Sequence, residues 1–513
     1  MKKINILFGL LAGTLVFTSC SDSFLEQDDP IKQSANEYYK DSTHVVQSII
    51  AAYSPTEWND WNGYQYSPQN VMSEIMGDDF FVGGSGPGDN KFWHLMANYE
   101  STPTECMTGI WTNMFTGVKR CNDAVKYIEE FKESVSEETY KSWNAEARVL
   151  RAYYYIWLWK FYGNIPYFTV NTAGGYSYPQ LPAAEIYENV IADLEDVIAL
   201  NVLPMEGDED NLGRVSQAMA YMLYADYVMY QNDASRYSKA LGYMKDIIND
   251  SHYGLHPDYK ELFESAGEWC EETIFEVNYS DNKTFRGWGH DDAIYAGGTV
   301  VPRLCSAPMA IAAIGANDGW GFAPVRPSTY EMFARNDVRR DVSILDVRPY
   351  TEGNSDFQPR YQNTGFWMGK NYAYAVNCER STGDQQLNYN YNLRVYRYAE
   401  TLLNAAELLV RTNGDLALAK SYITKVRQRA GLVSEVEPTL DNIIQERHLE
   451  FVSEGKRYWD LVRTDKASTV LVAEPDVPNS ERTNSWNKEK NMYLPIPYTE
   501  MAADPNLVQN PGY

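Results

Sequence analysis

Basic residues are scarce: 44 Lys and Arg stand against 70 Asp and Glu in 513 residues, for a formal net charge of −26. A field of that sign repels phosphate backbones and anionic headgroups, which argues against nucleic acid as a partner and against docking on lipid through a basic surface. Histidine is scarcer still, with six in all and no HExxH. His252 and His256 are four apart, but Gly254 and Pro257 interrupt any helix there, so they do not make a metal pair. No GxSxG elbow and no P-loop lysine motif occurs. There is no CxxC, and with Cys20 set aside the remaining cysteines are 106, 121, 270, 305 and 378. Five is odd, so a complete disulfide framework within the chain is excluded. Long apolar runs are missing after the N-terminus: residues 307–315 give only nine, and a bilayer span takes about 20. Adjacent acids, Asp78-Asp79 and Asp291-Asp292, fall in predicted loops, where spacing does not set two carboxyls across a sugar ring.

What the sequence does have is aromatic surface. It contains 13 Trp, 40 Tyr and 18 Phe, 14% of the chain, and a helical core must absorb most of these rings. Apolar residues recur at helical spacing over residues 36–53, 105–131, 136–162, 183–200, 216–230, 235–250, 391–411 and 415–430. Taken two by two, these predict about four helix pairs, each near the 34-residue period of tetratricopeptide repeats although the strict consensus is absent. The predicted fold is mostly α: a tetratricopeptide-like helical-repeat scaffold with long irregular insertions at 54–104, 252–390 and 465–513 carrying minor β structure.

The N-terminus is a targeting segment. Lys2 and Lys3 precede a mostly apolar stretch, residues 4–17, which leads through Thr18-Ser19 into Cys20. This is similar to a bacterial lipoprotein signal over residues 1–19, with Cys20 as the lipidated first residue. The following SDSFLEQDD, within a 20–30 tether, resembles the surface-export signal of Bacteroidetes lipoproteins.

Several blocks, in order along the chain, resemble the SusD/RagB family of outer-membrane lipoproteins. They are NAEARVLRAYYY at 144–155 with YGNIP at 162–166, YAETLLNAAE at 398–407, KVRQRAGL at 425–432, ERHLEF at 446–451, EGKRYWDLVR at 454–463, LPIP at 494–497 and QNPGY at 509–513. Part of this set has a physical reading of its own. Acids and bases over residues 446–463 lie three and four apart, so they are expected to pair along their helix and across to Arg148 and Arg151.

The resemblance implies a SusD-like domain over 31–513 that binds saccharide without catalysis and needs no cofactor. It also implies a lid on a SusC-like TonB-dependent barrel, held to the outer membrane through lipid only. Two other readings stay open: a glycoside hydrolase or lyase on a helical scaffold, and a helical-repeat adaptor for a protein partner.

Sugar chemistry selects the candidate contacts. Pyranose rings offer C–H faces to aromatic rings and paired hydroxyls to Asp, Asn and Arg. The richest mix is Trp58, Asp60 and Asn62, then Asp79 and Trp93; Trp288, Trp320 and Arg380 lie in the other long insertion. Trp93 with Asp60 and Asn62 is the expected shallow cradle.

Overall fold

The computed structural model describes residues 38–39, 41–60, 66–172, 177–207, 211–284, 286–288 and 297–513. The N-terminal signal, Cys20, the acidic tether and Asn62 lie outside the described residues.

Ten helices carry the argument: α1 (Ser42–Tyr53), α2 (Gly109–Phe131), α3 (Glu137–Tyr162), α4 (Ala183–Leu200), α5 (Gln217–Gln231), α6 (Tyr237–Asn249), α7 (Tyr398–Arg411), α8 (Leu416–Arg429), α9 (Leu440–Phe451) and α10 (Arg457–Arg463). Their ends follow local chemistry. The Ser136 side chain caps α3 by accepting from the Thr139 N–H at 3.0 Å, and Glu137 and Glu138 complement the helix dipole. Gly163, at φ 67°, closes α3 by returning its N–H to the Trp159 carbonyl. Asp415 caps α8 and Thr439 caps α9 in the same manner as Ser136.

From α1 to α8 each helix packs on the next, which is the stacking a helical repeat requires. The chain leaves this stack after α6, runs through the 252–390 insertion, and returns to lay α7 against α6. The β structure is minor, as the sequence predicts. It consists of β1 (Ile165–Pro166) with β2 (Gln180–Leu181), β3 (Thr273–Val277) with β6 (Leu393–Arg397), and β4 (Ile344–Asp346) with β5 (Phe366–Met368), all antiparallel.

The core takes up most of the aromatic rings. Trp159 on α3 lies 5.3 Å from Tyr227 and 5.1 Å from Tyr230 on α5, and 6.0 Å from Tyr187 on α4. Cys106, Cys121, Cys305 and Cys378 are buried, and Cys270 is half-buried; none of these five forms a disulfide.

The α2–α3 crossing depends on Gly117. A Cβ there would come within 2.4–2.5 Å of the Tyr154 ring, and that ring cannot swing away because its hydroxyl donates to the Ala52 carbonyl at 2.6 Å. Gly242 in α6 has nothing within 4 Å of the same position. Gly117→Ala is therefore expected to destabilise by about 1–3 kcal/mol through overpacking. Gly242→Ala should stabilise by about 0.5–1 kcal/mol through helix propensity. Denaturant melts of the two variants check the contrast: equal shifts would contradict it.

Charged residues of the C-terminal third are buried in a continuous network. The acids of α9 do not pair with Arg148 and Arg151, contrary to the expectation from spacing; those two arginines hold Asp193 on α4 at 2.9 Å. Glu450 instead takes Arg397 at 2.7 Å, Arg339 at 3.0 Å and Arg429. Glu272, beside β3, bridges Arg397 at 2.6 Å and Arg429 at 2.8 Å. Glu454 joins Arg397 to Lys370, and Glu446 joins Arg339 to Arg427. A second cluster ties Arg447 to Glu400 and Asp460, and Arg463 to Glu407 and Asp460.

Candidate glycan-binding site

The structure separates the sequence-predicted contacts into buried and exposed groups. Trp93 is fully enclosed, so it offers no ring face to a ligand. It packs on Phe322 at 5.2 Å and donates its indole N–H to the Tyr66 carbonyl at 2.8 Å. It is a packing residue rather than part of an open cradle, and it holds the Tyr66 backbone.

Asp60 is also enclosed and is not a sugar contact. It accepts from the Val300 N–H at 2.8 Å and faces Arg286 at 3.7 Å, stitching the 54–60 segment to the 286–300 one. Burial pushes its carboxyl up, and Arg286 draws it back down. The same burial pushes Glu57 up to about 8, opposed by Arg286 and reinforced by Asp60.

Asp79 is enclosed as well, accepting from Thr329 at 3.0 Å and lying 2.8 Å from His448 Nε2. Asp78, Asp79 and His448 are the one group among the described residues close enough to share a metal ion. Arg457 occupies both oxygens of Asp78 at 2.9 Å, so the set is already a closed ion-pair cluster. Trp58 is half-buried under the Arg120 guanidinium, 4.6 Å from its ring, with its indole N–H on Ser54.

The other two tryptophans come together. Trp288 and Trp320 lie 5.6 Å apart at 39°, and Trp320 lies 5.6 Å from Tyr66 at 64°. Trp288 is 51% exposed, while Trp320 and Tyr66 are half-buried, so the three rings form a stepped platform open to solvent. Each ring is fixed through its backbone. Trp288 N–H donates to Asp384 at 3.0 Å. Trp320 donates to the Arg303 carbonyl at 2.7 Å, and its own carbonyl accepts from Arg360 at 3.0 Å. The Arg303 guanidinium sits 5.8 Å from the Trp320 ring and pairs with Asp318 at 2.6 Å.

Arg380 is exposed and paired with Asp281. The segment that carries Arg380 also carries Asp384 and runs along residues 281–286, beside the platform's Trp288 end.

Tyr66, Arg303, Arg360 and Asp384 were not singled out by sequence reasoning. Tyr66 alone had a signal, as a further aromatic in the Trp58–Trp93 insertion.

Successive planes turned by 39° and 64° make a twisted aromatic surface. Such a surface can stack consecutive pyranose faces of a chain that turns along its axis, while the arginines and acids at its edge reach hydroxyls.

Comparison with known proteins identifies the family. The SusD family matches residues 271–513, and a family described as starch-binding and associating with the outer membrane matches residues 23–226. Surface glycan-binding protein A from Bacteroides thetaiotaomicron is 47% identical, with a TM-score of 0.87 over 93% of this chain and 100% of that one. Its structure in complex with laminarihexaose superposes with a TM-score of 0.86 at 47% identity, over 91% and 99% of the two chains. A laminarin-binding SusD-like protein is 27% identical with a TM-score of 0.82, over 93% and 100%. SusD-like protein P2 from Formosa agariphila is 26% identical over the whole of both chains. The relatives of known structure are named for binding, in line with a non-catalytic protein, and their helical fold is the one described above. The chain belongs to the SusD family.

Proposed function

We propose that this protein captures a β-1,3-linked glucan of the laminarin type on the Tyr66–Trp320–Trp288 platform, without cleaving it, and passes it to a TonB-dependent barrel. The observation that carries the reading is the run of three rings at 5.6 Å steps, each turned from the last, where Trp93 by contrast is consumed by packing. A β-1,3-linked glucan turns along its axis, whereas a β-1,4-linked one is a flat ribbon, so a twisted platform favours the former. The laminarihexaose complex of the 47% identical relative supports the same ligand class. Arg380, at the Trp288 end, is assigned to hydroxyl contacts. Asn62 and Trp58 stay candidate contacts on the sequence argument alone.

Calorimetry with laminarihexaose and with a cello-oligosaccharide of equal length, followed by chromatography of the mixtures, tests the proposal. Binding of the first, weak or no binding of the second, and unchanged oligosaccharide lengths are expected. Release of shorter products would make the protein an enzyme instead, and equal affinities would remove the twist argument.

The membrane half of the proposal rests on the Cys20 signal and on the matched family's association with the outer membrane. A multiply acylated Cys20 would supply the two lipid signals that stable anchoring needs. In gentle detergent the native protein should co-purify with a TonB-dependent barrel, and Cys20→Ala should leave it unprocessed or soluble. Recovery of the wild type as a lone monomer would count against the lid role.

A further inference from the structure

A second tryptophan site lies apart from the platform and shares no residue with it. Trp269 sits just before β3 with φ +58°, in the left-handed region that a bulky side chain enters only under strain. Core formation does not explain that strain. Trp269 is half-exposed and joins none of the hydrophobic clusters among the described residues. Gly213, itself at φ +82°, lies against the ring, and a Cβ there would come within 3.0 Å of the indole Cη2. The backbone is therefore shaped on both sides to hold this indole at the wall of a cavity of about 210 Å³. A lone water needs only about 10–15 Å³ by the same measure, so the space suits a larger guest.

The polar lining says what kind of guest. Glu206, Arg214, His252 and Glu271 all line the cavity, and each has a polar neighbour within the protein. His252 Nε2 lies 2.7 Å from Glu206, and its Nδ1 3.0 Å from Asp250. Arg214 Nε donates to Glu146 at 2.8 Å, and Glu271 lies 3.4 Å from His256. The one permanent cation of the lining, Arg214, is thus taken by Glu146, and no free base is left to select an anion. What remains is carboxylate oxygens with spare lone pairs, beside one flat apolar face. That combination suits a neutral ring with hydroxyls on its edge and C–H bonds on its face. We propose that this cavity is a second saccharide subsite, in which one neutral sugar ring of the bound glucan stacks on Trp269. It rests on the glucan reading for its ligand, but not on the platform for its geometry.

Fluorotryptophan NMR of the full chain tests it, with the Trp269 signal identified by its loss in Trp269→Phe. Laminarihexaose is titrated into the wild type and into a Trp288→Ala/Trp320→Ala variant. The Trp269 signal is expected to shift saturably in both, and in the double variant the residual binding is expected to vanish when Trp269→Ala is added. If the Trp288 and Trp320 signals saturate while Trp269 stays fixed at tenfold higher concentration, this inference fails and the platform stands. A Trp269 shift that disappears in the double variant is transmitted from the platform and overturns the inference equally. If no tryptophan signal responds, both sites are refuted for this ligand.

Discussion

Glu450→Ala is expected to remove most of the protein's stability. The carboxylate is fully buried and is shared by Arg339, Arg397 and Arg429, each also held by other buried acids. Removing it takes one buried partner from each of three guanidiniums at once, in a low-dielectric interior. Breaking even one buried pair costs about 3–5 kcal/mol, against a typical total of about 5–15. At roughly 1 °C per kcal/mol for a chain of this length, the melting temperature should fall by at least about 3 °C. Glu130→Ala is the matched control, because Glu130 carries the same charge on an exposed stretch of α2, 3.8 Å from Lys126, where such pairs contribute little. Similar melting temperatures for the two variants would refute the hub.

The acid limb follows with a definite sign. Burial alone would raise the Glu450 pKa, but Arg429, Arg397, Arg339 and Lys370 outweigh it and hold it well below the ordinary carboxylate range. Asp460 is drawn down to about 2 by Arg447 and Arg463, again against burial. Their contribution is complete above the unfolded carboxylate pKa, near 4, and is lost as the pH falls through the folded values. Stability of the wild type should thus drop steeply between about pH 4 and 2, and in Glu450→Ala that slope should flatten.

Trp320→Ala is expected to cost the protein its glucan affinity. Trp320 is the middle ring of the platform, so its loss removes a stacking face and also the neighbour that supports both Tyr66 and Trp288. One aromatic contact is worth about 0.5–1.5 kcal/mol, and 1.4 kcal/mol is tenfold in affinity. A weakening of roughly tenfold is expected for Trp320→Ala, and for the variant that also lacks Trp288 a further fall, to the residual binding carried by Trp269. Trp93→Phe should separate support from contact. It keeps the packing on Phe322 but loses the hydrogen bond to the Tyr66 carbonyl. A modest loss of affinity with a near-normal melting temperature is expected. Unchanged affinity in Trp320→Ala, measured by calorimetry on a folded variant, would move the site elsewhere.

The helices could be read from the sequence because their causes are local. Ser136, Asp415 and Thr439 announce starts, and Gly163 announces an end, within one turn of the residues they govern. The charge network was visible only as charge. Spacing suggested that residues of 446–463 pair along their helix, as Asp460 and Arg463 do, but the partners of Glu446, Glu450 and Glu454 sit at 339, 370, 397, 427 and 429, brought close as the chain returns from the insertion. The aromatic platform had the same difficulty. Trp93, Trp288 and Trp320 look alike in sequence, each in an irregular segment with polar neighbours. Only the approach of Phe322 decides that Trp93 is inside, and only the approach of the 66 and 320 segments makes Trp288 part of a surface. Asp60 and Asp79 looked like hydroxyl acceptors because their donors, Val300 and His448, are hundreds of residues away.

The ionic hub also bears on proteolysis. Residues 352–356 form an exposed loop between β4 and β5 of the long insertion, and loop tips of this kind are preferred cleavage sites. Arg339 lies before that loop; Lys370, Arg397, Arg429, Glu450 and Glu454 lie after it. β4 and β5, on either side of it, are paired with each other. A chain cut there should therefore stay together, running as two bands on a denaturing gel and as one species on a sizing column.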